Sequence, residues 1–144
     1  EKRGTCSFKH HLLAAVAHGC SRIDVQLTVG IYEMSELNTP GVGGVLEAAS
    51  LAFIPEAHCY LTVGDQRFDF TGLTAGNASP FEALLAEHTV MPAELVHTKA
   101  RLHRQALEDW AKATGLSVKE AWAIREACIA VLAAAAKPPV VDAS

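Results

Sequence analysis

A glycine and an aspartate, Gly64 and Asp65, stand between two stretches in which polar and apolar residues alternate, 58–63 before them and 67–71 after. Alternation of period two marks a strand with two different faces, and a two-residue link leaves room only for a tight antiparallel turn. The stretch is therefore constrained to a β-hairpin. Pairing Val63 with Gln66 sets Tyr60 opposite Asp69 and His58 opposite Thr71. One face then carries His58, Tyr60, Thr62, Arg67, Asp69 and Thr71, and the other carries Cys59, Leu61, Val63, Phe68 and Phe70. Diagonal neighbours on one face lie about 7 Å apart, so the side chains of His58 and Asp69 come within reach of each other. A slip of one residue would put the two on opposite faces.

The flanking segments add helices and one more strand. Thr5 can cap a helix in which Phe8, Leu12, Leu13 and Val16 form an apolar stripe expected to face the core, with Gly19 as its stop and Cys6 in its first turn. Next, Ile23, Val25, Leu27, Val29 and Ile31 alternate with Asp24, Gln26, Thr28 and Tyr32, which predicts a strand buried on one face. Residues 38–44 are rich in turn formers and read as a loop that can border a site, and 45–52 as a short helix. After Gly72 comes a linker at about 73–80, then a helical extension over about 81–137. Its first stripe is Leu102, Ala106, Trp110 and Ala113, ended by Gly115. Ser117 and Glu120 form a capping box, and a last stripe of Val118, Ala121, Ile124, Cys128 and Val131 runs on towards Pro138 and Pro139. The 144 residues form one domain, and the mix of helices with a hairpin and a further strand makes the fold class α+β.

Charge narrows the function. Twelve Lys and Arg against sixteen Asp and Glu give a net charge of −4, so neither nucleic acid nor an anionic membrane surface is an expected partner. No apolar run reaches the roughly 18 residues that span a bilayer. Cys6, Cys20, Cys59 and Cys128 are scattered, without the CxxC or dense framework of a disulfide scaffold. Reduced thiols and a cytoplasmic location are expected, subject to whatever segment precedes Glu1.

Cys6 is the candidate nucleophile, because backbone N–H groups and the positive end of the helix dipole favour a thiolate in a first turn. Such a nucleophile needs a base and a group that orients the base. His58 and Asp69 suit those two roles. The backbone N–H of Cys6 can donate to a developing oxyanion; the second donor is left open between Gln26, Asn38 and a residue before Glu1. Tyr60 and Arg67 share the face of His58 and can line a substrate groove, and Glu56 just before it can approach the same place.

The segments Gly4-Thr5-Cys6-Ser7, continuing to His10, Gly30 to Tyr32, and Ile54 to Leu61 resemble the core of the transglutaminase-like branch of papain-type cysteine enzymes. They are most similar to those of small bacterial proteins of that branch. The resemblance covers about residues 4–72, with Cys59 and Tyr60 where many members carry a Trp. It implies a helix headed by the cysteine and packed on an antiparallel sheet, and a Cys6-His58-Asp69 triad for acyl transfer or amide hydrolysis. The implied substrate is a peptide, protein or small amide, with no cofactor and no metal.

Two other classes remain compatible with the same residues. One is an inactive binding module of this fold. The other is a zinc protein, since Cys6 and His10 stand one helical turn apart and His58 can join them. Otherwise His10 and His11 read as a solvated or packing pair, Cys59 and Cys128 as core, Cys20 as a boundary residue, and Trp110 and Trp122 as packing anchors.

Overall fold

The computed structural model describes residues 6–70 and 80–136, with only the backbone of Cys6 and Pro80. Helix α1 spans Cys6–Gly19, β1 Gln26–Met34, α2 Gly43–Ala48, β2 Ile54–Val63 and β3 Gln66–Phe68. A 3-10 turn at Pro80–Ala83 leads into β4, Leu84–Val90, and another at Pro92–Glu94 leads into α3, Leu95–Thr114, and α4, Val118–Ala135. The strands form one sheet in the order β3-β2-β1-β4, every neighbouring pair antiparallel. Mixed helix and antiparallel sheet make this an α+β fold.

The central pair β1 and β2 runs in register from Gln26 opposite Thr62 to Met34 opposite Ile54. One core layer joins Leu27, Val29, Ile31, Ala57, Cys59 and Leu61 of this pair to Ala14 of α1, Val90 of β4 and Leu95 of α3. A second joins Tyr32, Met34 and Ile54 to Val42 and Leu46, to Leu107 and Ala111 of α3, and to Ala121 and Cys128 of α4. Fully burying a side chain such as Ile54 or Leu107 contributes about 1.5–3 kcal/mol, so the two layers hold β1 and β2 from both sides.

That double cover corrects the expectation of a strand with one wet face. Thr28 and Tyr32 are buried, and Thr28 Oγ1 shares a 2.9 Å hydrogen bond with Thr62 Oγ1. The strand also starts later than its alternation suggested. Ser21 at φ 62 and the Val25 N–H bonded to Arg22 O bend the chain ahead of Gln26, leaving Ile23 exposed. Ser21, rather than Gly19, makes the left-handed turn that ends α1. Likewise α2 is displaced from 45–52, because Ser50 at φ 56 closes it with the Leu51 N–H on Leu46 O.

Three further corrections concern the helices. In α1 the stripe is inverted: Phe8, Leu12, Leu13 and Val16 are exposed, and His10 and Ala14 face inward, fully buried. The small Ala14 lets the helix approach the sheet closely. In α3 the innermost residues are Leu95, His103, Leu107 and Ala111, while Ala113 is exposed. Finally, 81–137 is not one helical extension and the sheet does not end at 72. Leu84–Val90 pairs with β1 as an edge strand, although Leu84, Leu85, Ala86 and Glu87 are ordinary helix formers. Pairing with an unfilled edge outweighs that local preference.

Gly115 at φ 77 stops α3, and Ser117 and Glu120 form a reciprocal capping box at the start of α4, both as the sequence predicts. Among the described residues no helix is long and apolar enough to cross a membrane.

Candidate functional site

The hairpin sets the site. Val63 pairs with Gln66, Thr62 with Arg67 and Leu61 with Phe68, the register that the alternation demands. Gly64 takes φ 57 in the turn, a conformation open to glycine at little cost. The ladder stops at Phe68, so Asp69 lies one residue past the strand, on the segment leaving the sheet. Even so its carboxylate meets the base proposed for it: His58 Nε2 lies 2.8 Å from Asp69 Oδ2.

A carboxylate has only acceptors to offer, so Nε2 carries the hydrogen in that bond. The neutral imidazole of His58 then holds its lone pair on Nδ1. His58 is nearly fully buried and ringed by aromatic groups, with Tyr60 at 6.0 Å, Tyr32 at 6.4 Å and His10 at 6.5 Å between ring centroids. Gly30 stands directly opposite His58 across the β1–β2 ladder, and with no side chain there the Tyr60 ring fills the space.

His10, read from the sequence as a solvated or packing residue or a zinc ligand, has a contact in the site that none of those readings gave. It is fully buried, its Nε2 accepts the backbone N–H of Phe70 at 3.1 Å, and it stands 3.7 Å from Asp69 Oδ1. A backbone N–H only donates, so Nε2 holds a lone pair and His10 is neutral with its hydrogen on Nδ1. The 3.7 Å approach to Asp69 is therefore not an ion pair in this state. A signal was present in the sequence: positions 6, 10 and 14 form one row of α1, and the row ends on a small alanine.

Cys6 opens α1 with its backbone, and its side chain lies outside the described residues. Thr5, expected to cap the helix, and Thr71, expected opposite His58, lie outside them too. Lys99 of α3, a cation that spacing could not reveal, donates to Oγ of the residue after Cys6, Ser7, at 3.0 Å. Lys9 is exposed.

Tyr60 and Arg67 meet on Glu87 of β4. The buried Tyr60 hydroxyl donates to Glu87 Oε1 at 2.5 Å, and Arg67 holds both oxygens, Nε at 2.6 Å and Nη2 at 2.7 Å. Burial, and then the Glu87 acceptor, push the Tyr60 phenol above its ordinary range. The Arg67 hydrogen bonds hold the Glu87 carboxyl below the usual carboxylate range. Arg67 is thus committed to an internal partner, and Tyr60 packs edge to face on Phe81 at 4.8 Å. Tyr60 is a wall of the site rather than part of an exposed sheet face.

Other candidates are placed elsewhere. Gln26 pairs with Thr62 at the far end of the ladder and accepts from Thr89 Oγ1 at 3.3 Å. Asn38 spends its amide on its own loop: Nδ2 donates to Glu33 O, and Oδ1 accepts from Ser35 N–H and Thr39 Oγ1. That loop is packed, with Asn38, Thr39 and Val42 buried. Glu56 shares the face of His58, but its carboxylate is held by Arg125 of α4 at 2.7 and 3.1 Å. Beside it, His103 of α3 is buried against Trp122 and donates from Nε2 to Pro55 O at 3.2 Å. Desolvation lowers the His103 pKa, outweighing the Glu56 charge 3.8 Å away.

Cys59 and Cys128 are buried thiols in the two core layers, and Cys20 is exposed. Among the described residues no group of three or more His, Cys, Asp or Glu side chains is arranged to hold a metal ion. Compared with protein-family models, with curated proteins and with solved structures, the chain finds no match.

Proposed function

We propose that this protein is a transglutaminase-like cysteine enzyme, in which Cys6, His58 and Asp69 carry out thiol-mediated acyl transfer or amide hydrolysis. The observation that supports it most is the 2.8 Å bond between His58 Nε2 and Asp69 Oδ2, which sets the base in one tautomer. His10, one turn after Cys6 on α1, touches the same Asp69–Phe70 segment, so the head of α1 and the His-Asp pair belong to one neighbourhood. A helix headed by cysteine against an antiparallel sheet is the core this enzyme type uses.

In this reading Asp69 keeps its charge and holds the imidazole. His58 Nδ1 takes the Cys6 thiol proton while the sulfur attacks the carbonyl carbon of an amide or ester. The oxyanion that forms is met by backbone N–H groups of the first turn of α1, which have no intrahelical acceptor. His58 returns the proton to the leaving nitrogen or oxygen, and a thioester remains on Cys6. Water or an amine then attacks that thioester with His58 again as base, and the thiol is restored. The ammonium of Lys99, bonded to the neighbouring Ser7, adds positive charge that favours the thiolate.

Incubation with a p-nitrophenyl ester followed by mass spectrometry tests this directly. An acyl group is expected on Cys6, removable by hydroxylamine, and absent in Cys6→Ser and His58→Ala. Labelling spread equally over Cys6 and the exposed Cys20, unchanged by His58→Ala, rejects the enzyme reading.

A further inference from the structure

We propose that His10 is a positioning residue: by accepting the Phe70 N–H on its neutral Nε2, it holds Asp69 in place on His58. The inference rests on the Cys6-His58-Asp69 reading for its consequence in reactivity, and on geometry alone for the clamp.

The need for a clamp follows from the sheet. Strand β3 has only three residues, all exposed, at the edge of the order β3-β2-β1-β4, and its ladder ends with Leu61 opposite Phe68. Asp69 and Phe70 lie past the last rung, where no strand pairing determines their position. Short edge strands fray, and a carboxylate displaced by about 1 Å no longer meets an imidazole at hydrogen-bond distance. The structure supplies a bond from another direction. His10 Nε2 takes the Phe70 N–H at 3.1 Å, its ring lies 6.1 Å from the Phe70 ring, and it is itself immobilised in full burial on α1.

The chemistry of that acceptor matters. Lysine or arginine at position 10 has nothing to accept with, and leucine or phenylalanine fills the space but leaves the Phe70 N–H unmet. An imidazole with its hydrogen on Nδ1 presents a lone pair towards Phe70 and no second proton to compete with His58 for Asp69. The row from Cys6 to His10 thus links the head of α1 to the carboxylate that orients the base.

The test uses the full chain labelled with nitrogen-15 and reads histidine ring nitrogens and protons by NMR. In wild type, His10 is expected to lack a proton on Nε2 and to carry one on Nδ1, and His58 to show a low-field proton on Nε2. In His10→Phe the low-field His58 proton is expected to be lost or broadened. In His10→Gln, whose amide oxygen can accept the Phe70 N–H, it is expected to persist. Iodoacetamide alkylation of Cys6 is expected to fall about tenfold or more in His10→Phe, to the level of Asp69→Asn, with no further loss when the two are combined.

A protonated His10 Nε2 in wild type, or an unchanged His58 proton in folded His10→Phe, overturns the proposal. Should His10→Phe not fold, the wild-type tautomer and the folded His10→Gln spectrum decide it. Failure of the enzyme reading looks different: Cys6 then alkylates at the same rate in wild type and His58→Ala, whatever the ring nitrogens of His10 report.

Discussion

The ring of Tyr60 lies over the backbone of Gly30, so closely that a Cβ at position 30 would stand 2.6 Å from the Tyr60 hydroxyl oxygen. The same Cβ would meet Tyr60 Cε1 at 2.8 Å and Leu84 Cδ2 at 2.9 Å. Gly30→Ala adds strand propensity but forces a fully buried ring off its Glu87 acceptor, and the clash is the larger effect. A loss of about 1–3 kcal/mol is expected in urea unfolding, with a change in the His58 ring signals opposite it. An unchanged midpoint would mean that Tyr60 does not occupy that space.

Glu87 serves two partners of unequal burial, and their removal should differ accordingly. Glu87→Ala leaves the buried Tyr60 hydroxyl without its acceptor and is expected to cost about 1–3 kcal/mol. Arg67→Ala removes a guanidinium whose side chain is 37% exposed and is expected to cost no more than about 1 kcal/mol. Equilibrium unfolding of the two variants checks the order, and a larger loss from Arg67→Ala contradicts it.

His103 ties stability to pH. Burial lowers its pKa in the folded chain, so the unfolded chain binds the proton first as pH falls. Its contribution is complete above the unfolded value of about 6.5 and is lost as pH drops through that value towards the lower folded one. His103→Gln keeps a donor for Pro55 O and cannot titrate. Unfolding midpoints at pH 7.5 and pH 5 are therefore expected to differ less in this variant than in wild type. Equal sensitivity in both would remove His103 from the acid response.

The parts of the fold that were legible from sequence are those decided by local chemistry. The hairpin register follows from the Gly64-Asp65 turn and the alternation on either side of it, and that register puts His58 and Asp69 on one face. Gly115 and the Ser117–Glu120 box are likewise local signals. What escaped was decided by neighbours far along the chain. Leu84–Val90 becomes a strand only because β1 offers an edge, and Tyr32 is buried only because α2, α3 and α4 cover it. The inward row of α1 is hidden from a reading by size, because close approach to the sheet suits the small Ala14 and the Phe70 N–H is met by the acceptor of His10.

In the proposed mechanism His58, held by Asp69, activates Cys6. The most direct measurement is the iodoacetamide alkylation rate of Cys6 from pH 4 to 9, resolved from Cys20, Cys59 and Cys128 by mass spectrometry, in wild type and His58→Ala. Cys6 is expected to react well below the ordinary thiol pKa of about 8.5, and to lose that reactivity without His58. Alkylation that rises only near pH 8.5 and is the same in both proteins would contradict it.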